Sequence, residues 1–321
     1  MKQSFCSIIS YSHVGYILAL MDSINQWQVV PTDFHVWVID KKNMPFPAAH
    51  LNLYWHDIDE LMDVGIVAKY RQSESKLRWS LKPVLIKNLL QQLEYQKVIY
   101  VDWDLFFFDT YQFLFDYLDR YNVLLTPHHR ATNPSIASMS FLYNLKHGFF
   151  NAGFVGASYG GIPALNWWQA AVMFACESSE QLGLHDDQRY LDLIPLQFKN
   201  VLIVRHSGVN LSEWHYHPSL ELIDGVLHIN HQPIVCVHFT DYAIFVFENA
   251  HQVPEFYEWR AMSRLCASYK ESVSQYDSHT DHLKNRWQLR AEQFFGAYRE
   301  LLSRYVDLEA RYHVLMEQKN L

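Results

Sequence analysis

The first forty residues restrict the fold more than any other stretch of this 321-residue chain. Residues 4–9 form an apolar run of strand length. Tyr16, Ile17, Leu20, Met21 and Ile24 then recur at helical spacing, and Phe34 to Ile39 is a second apolar run ending at Asp40. A strand, a helix and a strand within that span make a βαβ unit, which implies a parallel sheet and a right-handed crossover. The residues are 50% hydrophobic and 19% charged, which excludes wholesale disorder. Twenty Tyr, 20 Phe and 10 Trp can build a large core and leave rings for a stacking cleft.

Beyond the loop 41–47, helical patterns cover 59–69 and run from Pro83 to Leu93, with Pro83 expected in a first turn, where its missing N–H costs nothing. Strands are expected at 97–101, 122–126, 149–157, 201–204, 226–229 and 234–238. Helices are expected from Pro163 to Glu177 and from the His185-Asp-Asp-Gln188 run to Pro195. From about Asp277, Trp287, Ala291, Phe294, Tyr298, Leu301, Tyr305, Leu308, Tyr312 and Leu315 alternate spacings of four and three, an a/d seam that predicts helix–helix packing, with a second copy or with the chain's own domain. The sequence therefore divides into an α/β catalytic domain at 1–250 and a helical extension at 251–321. A net charge of −8 argues against a nucleic-acid partner, because phosphate binding needs clustered cations. Cys6, Cys176, Cys236 and Cys266 lie far apart and read as reduced, buried thiols of a cytoplasmic chain. No signal peptide is read at the N-terminus, and no apolar stretch reaches the length of a transmembrane segment.

The sharpest chemical signal is Asp102-Trp-Asp104, directly after the strand Lys97-Val-Ile-Tyr-Val101. Two carboxylates at the end of a buried strand are costly unless a cation neutralises them. Ligands of open α/β sheets bind at the carboxyl ends of the strands, and hard oxygen donors there suit Mn²⁺ or Mg²⁺ completed by a phosphate. Neither a GxGxxG nor a GxxxxGK[ST] pattern is present.

Residues 97–104 resemble the DxD strand of type A nucleotide-sugar-dependent glycosyltransferases, most of all glycosyltransferase family 8 and the related nucleotide-diphospho-sugar transferases. Three further pieces follow in that family's order: Asn151-Ala-Gly153 after Phe149-Phe150, Asp186-Asp-Gln-Arg-Tyr-Leu191, and Val237-His-Phe239. The resemblance spans residues 4–245. It implies a Rossmann-like, mostly parallel central sheet flanked by helices, and transfer of a sugar from a nucleoside diphosphate donor, UDP-linked, to a glycan, a lipid-linked saccharide or another hydroxyl acceptor. Asp102, Asp104 and His238 would hold the metal. Ser10, Tyr11, His13, Asp40, Asp102 and Trp103 would meet the nucleotide, Asn151 and Gly153 the donor sugar, and Asp187 and Gln188 the anomeric centre. If the reaction retains configuration, the leaving phosphate accepts the acceptor's proton and no dedicated base is needed. If it inverts, Asp186 or Asp187 must serve as base.

The sequence departs from the family after His238: where a Gly and then Lys-Pro-Trp are expected, it reads Thr240-Asp-Tyr-Ala-Ile-Phe245. Arg78 and Lys82 are candidates to replace that lysine beside the diphosphate. The polar, aromatic loop carrying Asn210, Trp214, His215 and His217 is expected to shape the acceptor site; a zinc site at His215-Tyr-His217 lacks a Cys partner or an HExxH. His128, His129, His228 and His231 read as surface or strand-end residues. Two other functions fit a strand followed by DxD: a haloacid-dehalogenase-like phosphatase with Asp102 as nucleophile, and an inactive sugar-binding or scaffold protein. The first wants Thr, Ser or Val at position 106, which is Phe. The expected setting is the cytoplasm, including the inner face of the membrane.

Overall fold

The computed structural model describes residues 2–40, 51–61, 64–179, 181–276, 287–297 and 300. The loop 41–47 and the seam positions from Tyr298 onward lie outside the described residues. The βαβ unit opens the fold: β1 (Gln3–Ile9), α1 (Val14–Trp27) and β2 (Asp33–Val38), with β1 and β2 parallel. Then come β3 (Leu53–Asp57), α2 (Val64–Tyr70), α3 (Glu74–Gln91), β4 (Lys97–Val101), β5 (Leu105–Phe107), α4 (Gln112–Tyr117), β6 (Val123–Pro127), α5 (Ser138–His147), β7 (Phe150–Ser158) and α6 (Ile162–Phe174). The later part contains α7 (Ile194–Gln197), β8 (Val201–Ile203), β9 (Leu220–Ile223), β10 (Val226–Ile229), β11 (Gln232–Pro233), β12 (Cys236–His238), α8 (Asp241–Asn249) and α9 (Ser263–Tyr276).

Seven strands form the central sheet in the order β3-β2-β1-β4-β7-β6-β8. All neighbours pair in parallel except β7, which runs antiparallel to both β4 and β6. Along β4, Val98 and Tyr100 pack in one core with α3 and α6, while Ile99 and Val101 pack in the other with α1 and α4. That alternation is the period-two geometry of a strand covered on both faces. It also sends Asp102, two residues past Tyr100, toward α3. The strand order turns back between β1 and β4, the switch point at which open α/β sheets bind ligands.

Two expectations are corrected. The helix bearing Pro83 begins at Glu74, not at Pro83, so the proline lies inside it. The run from Leu77 to Leu90 is buried against the sheet, and this packing outweighs the hydrogen bond that Pro83 cannot donate. The run His185–Gln188 is an irregular turn followed by a short 3-10 segment, with Asp186 at φ 52. Elements β3, β5, α5, β9 and α8 go beyond the sequence reading. The four cysteines are free and buried. Trp287, first of the heptad seam, is buried in a core with Tyr16, Tyr269 and Phe245, and Ala291 and Phe294 pack against the same core. These first seam positions therefore meet the chain's own domain. No helix among the described residues is long and apolar enough to cross a membrane.

A buried histidine couples the sheet edge to pH. His35 on β2 contacts His56 at 2.8 Å and the Tyr95 hydroxyl at 2.8 Å, and Tyr95 donates to Asp33. Burial, then the neighbouring His56 and Lys2, lower its pKa to about 3. The unfolded chain takes up this proton near pH 6.5 and the folded chain does not, so stability present above pH 6.5 is lost as pH falls from there toward 3. Urea midpoints measured between pH 7.5 and 4.5 are expected to fall more steeply for the wild type than for His35→Gln; equal slopes would remove His35 as the cause.

Candidate functional site

Asp102 and Asp104 follow β4 where its hydrogen bonding to β7 ends. The Asp102 N–H donates to the Gly153 carbonyl at 2.8 Å, and Tyr100 Oη donates to Asp102 Oδ1 at 2.7 Å. β5 then pairs antiparallel with β12, placing His238 opposite Leu105, so the register of this small ribbon delivers the imidazole to the paired acids. His238 Nε2 lies 3.0 Å from Asp104 Oδ1 and 3.9 Å from Asp102 Oδ2. One ligand atom from each of the three residues falls within 4.8 Å of the others.

Three observations test whether this trio fits a divalent ion. Asp104 Oδ1 is buried and receives no hydrogen bond among the described residues. The Asn210 amide donates to Thr126 Oγ1 at 2.9 Å and to Asn151 Oδ1 at 3.1 Å, which turns its oxygen toward His238 Nδ1 at 3.1 Å. Nδ1 must then carry the proton, and in the neutral ring the Nε2 lone pair faces two carboxylates, an arrangement that calls for a cation or a second proton. Finally, a Cβ on Gly153 would stand 2.5 Å from His238 Cε1 and 2.6 Å from Asp102 Oδ2, so only glycine leaves this space open. The donor set fits a divalent cation. In the protein alone, burial works against the Asp104 charge but His238 holds its pKa below the usual carboxylate range; burial lowers the His238 pKa, but Asp104, Asp102 and Glu213 together raise it above the usual imidazole range.

Lys82 occupies the other flank. Its ammonium is buried 3.5 Å from Asp102 Oδ1 and 3.4 Å from Asp187 Oδ2, and donates to the Ala152 carbonyl at 3.1 Å. The Asp187 side chain is buried, and burial, opposed by Lys82, pushes its pKa up to about 7. Gln188 Oε1 accepts from the Ala152 N–H at 3.1 Å and from Asn151 Nδ2 at 3.2 Å, while its amide donates to the His147 carbonyl. Asp102, Asp104, His238, Lys82, Asn151, Gly153, Asp187, Gln188 and Asn210 thus form one connected set.

The remaining candidates cluster at two sides. Arg78 donates to Ser10 Oγ at 2.6 Å, Ser10 donates to Glu74, and the Tyr11 N–H donates to Asp40 Oδ1 at 2.6 Å. His13 links this turn to the acids, its ring lying 4.1 Å from Trp103 between centroids. On the opposite side a cavity of about 600 Å³ is lined by His128, Arg130, Asn151, Gln188, Trp214 and His215, among others. Trp214 meets His128 and His238 edge to face, and His215 stacks on His129. Asn210 is the exception among the expected acceptor residues: it is wholly buried and positions His238 instead of facing the cavity.

His128 is also not a surface residue. It is buried, donates through Nδ1 to the Gly148 carbonyl at 3.1 Å and sits 3.4 Å from the Asn151 amide. Tyr100 was missed despite a readable signal, since the period of two puts it on the Asp102 face. Arg130 and Glu213 reach the cavity through tertiary structure alone and left no local pattern.

No protein-family model matches this chain. Two proteins of Bacillus subtilis (strain 168), both described as uncharacterized, are similar to it. YfnF is 25% identical over 271 residues, covering 79% of this chain and 86% of YfnF; YfnD is 26% identical over 255 residues, covering 75% and 78%. Among solved structures, the galactosyltransferase LgtC in complex with donor and acceptor sugar analogs superposes with a TM-score of 0.53 at 13% identity, covering 86% of this chain and 97% of LgtC. The chain therefore has the type A glycosyltransferase fold, with its mostly parallel sheet.

Two substitutions probe the geometry. Gly153→Ala is expected to cost about 1–3 kcal/mol by overpacking and to abolish Mn²⁺ binding, read by thermal denaturation with and without the ion. Asn210→Ala is expected to weaken Mn²⁺ binding about 10- to 100-fold, as for other partners of metal-binding histidines; unchanged affinity in a calorimetric titration would exclude the positioning role.

Proposed function

We propose that this protein is a metal-dependent glycosyltransferase that moves a sugar from a UDP-linked donor to a hydroxyl of a saccharide acceptor, with retention of configuration. The observation that carries the reading is the Asp102–Asp104–His238 trio, held open by Gly153 at the switch point of the sheet. In this reading residues 1–250 form the catalytic domain and the chain works in the cytoplasm.

The bound ion, Mn²⁺ or Mg²⁺, would supply positive charge to the diphosphate and so ease its departure. The protein's own groups set the stage for it. Lys82 keeps Asp102 and Asp187 at fixed positions and adds a cation where the family's late lysine is missing. Ser10, Tyr11, His13, Asp40, Arg78 and Trp103 form the wall assigned to the base and ribose. Asn151, Gly153 and the Ala152 backbone, pinned by Gln188, form the floor under the sugar. Asp187, beside Lys82, faces the anomeric centre and stabilises developing oxocarbenium charge. The acceptor occupies the cavity lined by His128, Trp214 and His215, where rings and imidazoles suit a sugar's apolar faces and hydroxyls.

The phosphatase alternative loses ground on the fold, which matches the galactosyltransferase. In a direct test, purified protein incubated with UDP-sugars and Mn²⁺ is expected to release UDP. Asp104→Asn is expected to abolish release while leaving the circular dichroism spectrum unchanged, and saturating EDTA is expected to abolish it reversibly. UDP release that persists in EDTA would overturn metal dependence; release of phosphate from a chromogenic monoester instead would favour the phosphatase.

A further inference from the structure

Helix α5 is amphipathic in the wrong sense for a soluble protein. Asn144 is its buried residue and donates to the Ala131 carbonyl, whereas Met139, Leu142 and Leu145 are 59%, 49% and 51% exposed. Spaced three apart, these side chains form one stripe, and such a stripe is costly in water unless something covers it. The stripe does not front a flat surface. It walls a groove of about 810 Å³ whose other side carries Ser178, Ser179, Gly183, Leu184 and His185.

The groove is continuous with the acceptor cavity: Tyr143, His147 and His185 line both. A cation marks the junction. Arg130 donates to the Tyr143 carbonyl at 3.1 Å and to the Gly148 carbonyl at 3.5 Å, and lies 3.5 Å from His147 Nδ1. It forms no ion pair among the described residues. Glu213, Glu255 and Glu258 also line the acceptor cavity: Glu213 accepts from Ser212 at 2.5 Å and acts on Arg130 through space, and Glu258 pairs with His217 at 2.7 Å. This guanidinium donates to two carbonyls, lies beside His147 and the Tyr143 ring and feels the Glu213 charge, and it still has N–H donors to spare for an anion.

We propose, building on the transferase reading, that the acceptor is a saccharide joined through a phosphate to a long hydrocarbon chain. The sugar enters the polar cavity, the phosphate meets Arg130 at the junction, and the hydrocarbon lies along the α5 groove. The order polar cavity, cation, apolar groove matches the order of parts in such a molecule. A second copy of the chain would need no cation at the mouth of a sugar-sized cavity, and a neutral glycolipid would leave Arg130 unanswered.

The test is a calorimetric titration of the full chain with decyl phosphate, decyl β-maltoside and glucose 1-phosphate, each below any micelle concentration. Decyl phosphate is expected to bind at least tenfold more tightly than either of the others. Leu142→Glu, at an exposed position, is expected to remove the advantage over glucose 1-phosphate. Arg130→Gln is expected to remove the advantage over decyl β-maltoside, and Arg130→Lys to keep part of it. If thermal melting shows that Arg130→Gln fails to fold, Leu142→Glu and Arg130→Lys carry the test. Equal binding of the three probes within threefold, or an unchanged response in Leu142→Glu, overturns the proposal. So does a sedimentation shift from dimer to monomer in Leu142→Glu, which would make the stripe a contact between copies. Binding of UDP with Mn²⁺ is titrated in parallel: its absence beside an intact probe pattern counts against the transferase reading and not against the amphiphile groove.

Discussion

Charge confined at the ends of buried strands governs this structure. Asp102, Asp104 and Asp187 gather where the hydrophobic sheet ends, and a cluster of carboxylates removed from water is strongly unfavourable by itself. Lys82 answers two of them from α3, and His238 answers the third from β12. These two cations come from opposite flanks, so the acids are fixed from both sides. What remains between them is a gap in which the buried Asp104 Oδ1 and the His238 ring nitrogen face one another at 3.0 Å. The rest of the site is arranged to keep that gap: Asn210 sets the His238 ring, Asn151 sets Asn210, and Gly153 withholds a side chain.

Much of this was legible in the sequence because it rests on local pattern. The first βαβ unit, the strand before Asp102 and the buried thiols follow from period, length and composition. The acids, the glycine and His238 could be named because each stands at a strand end within a short motif. What could not be read depended on partners far away in the chain. Pro83 reads as a helix start by propensity, yet tertiary burial from Leu77 to Leu90 carries α3 through it. Asn210 reads as a loop residue shaping an acceptor site, yet it is wholly buried with three long-range hydrogen bonds. His128 suffers the same fate. Helix α5 escaped notice for a different reason, since its apolar residues face outward and a core-seeking reading has no place for them.

The two halves of the crevice differ in how they are built. Toward Ser10 and Asp40 the groups engage one another in a tight turn, with Arg78 and Glu74 closing on Ser10 from α3. Toward Trp214 and His215 the walls are rings and imidazoles around an open volume, and the pKa of His128 and His215 is lowered by burial, so both stay neutral. A rigid, hydrogen-bonded wall on one side and a wide, aromatic one on the other suit a constant group and a variable one respectively.

The assembly of the gap from β4, β7, β12 and α3 has a bearing on how the chain acquires its shape. Lys82 lies on α3, just before β4 in the chain, whereas His238 comes from β12, far downstream, and reaches the acids only when the intervening strands have found their places. Non-local closure of this kind slows folding. Until then the clustered carboxylates repel one another, and the pairing of β12 with β5 brings His238 to Asp104 to offset that repulsion. The centre therefore joins a contact that is near in the chain, from α3, to a distant one, from β12.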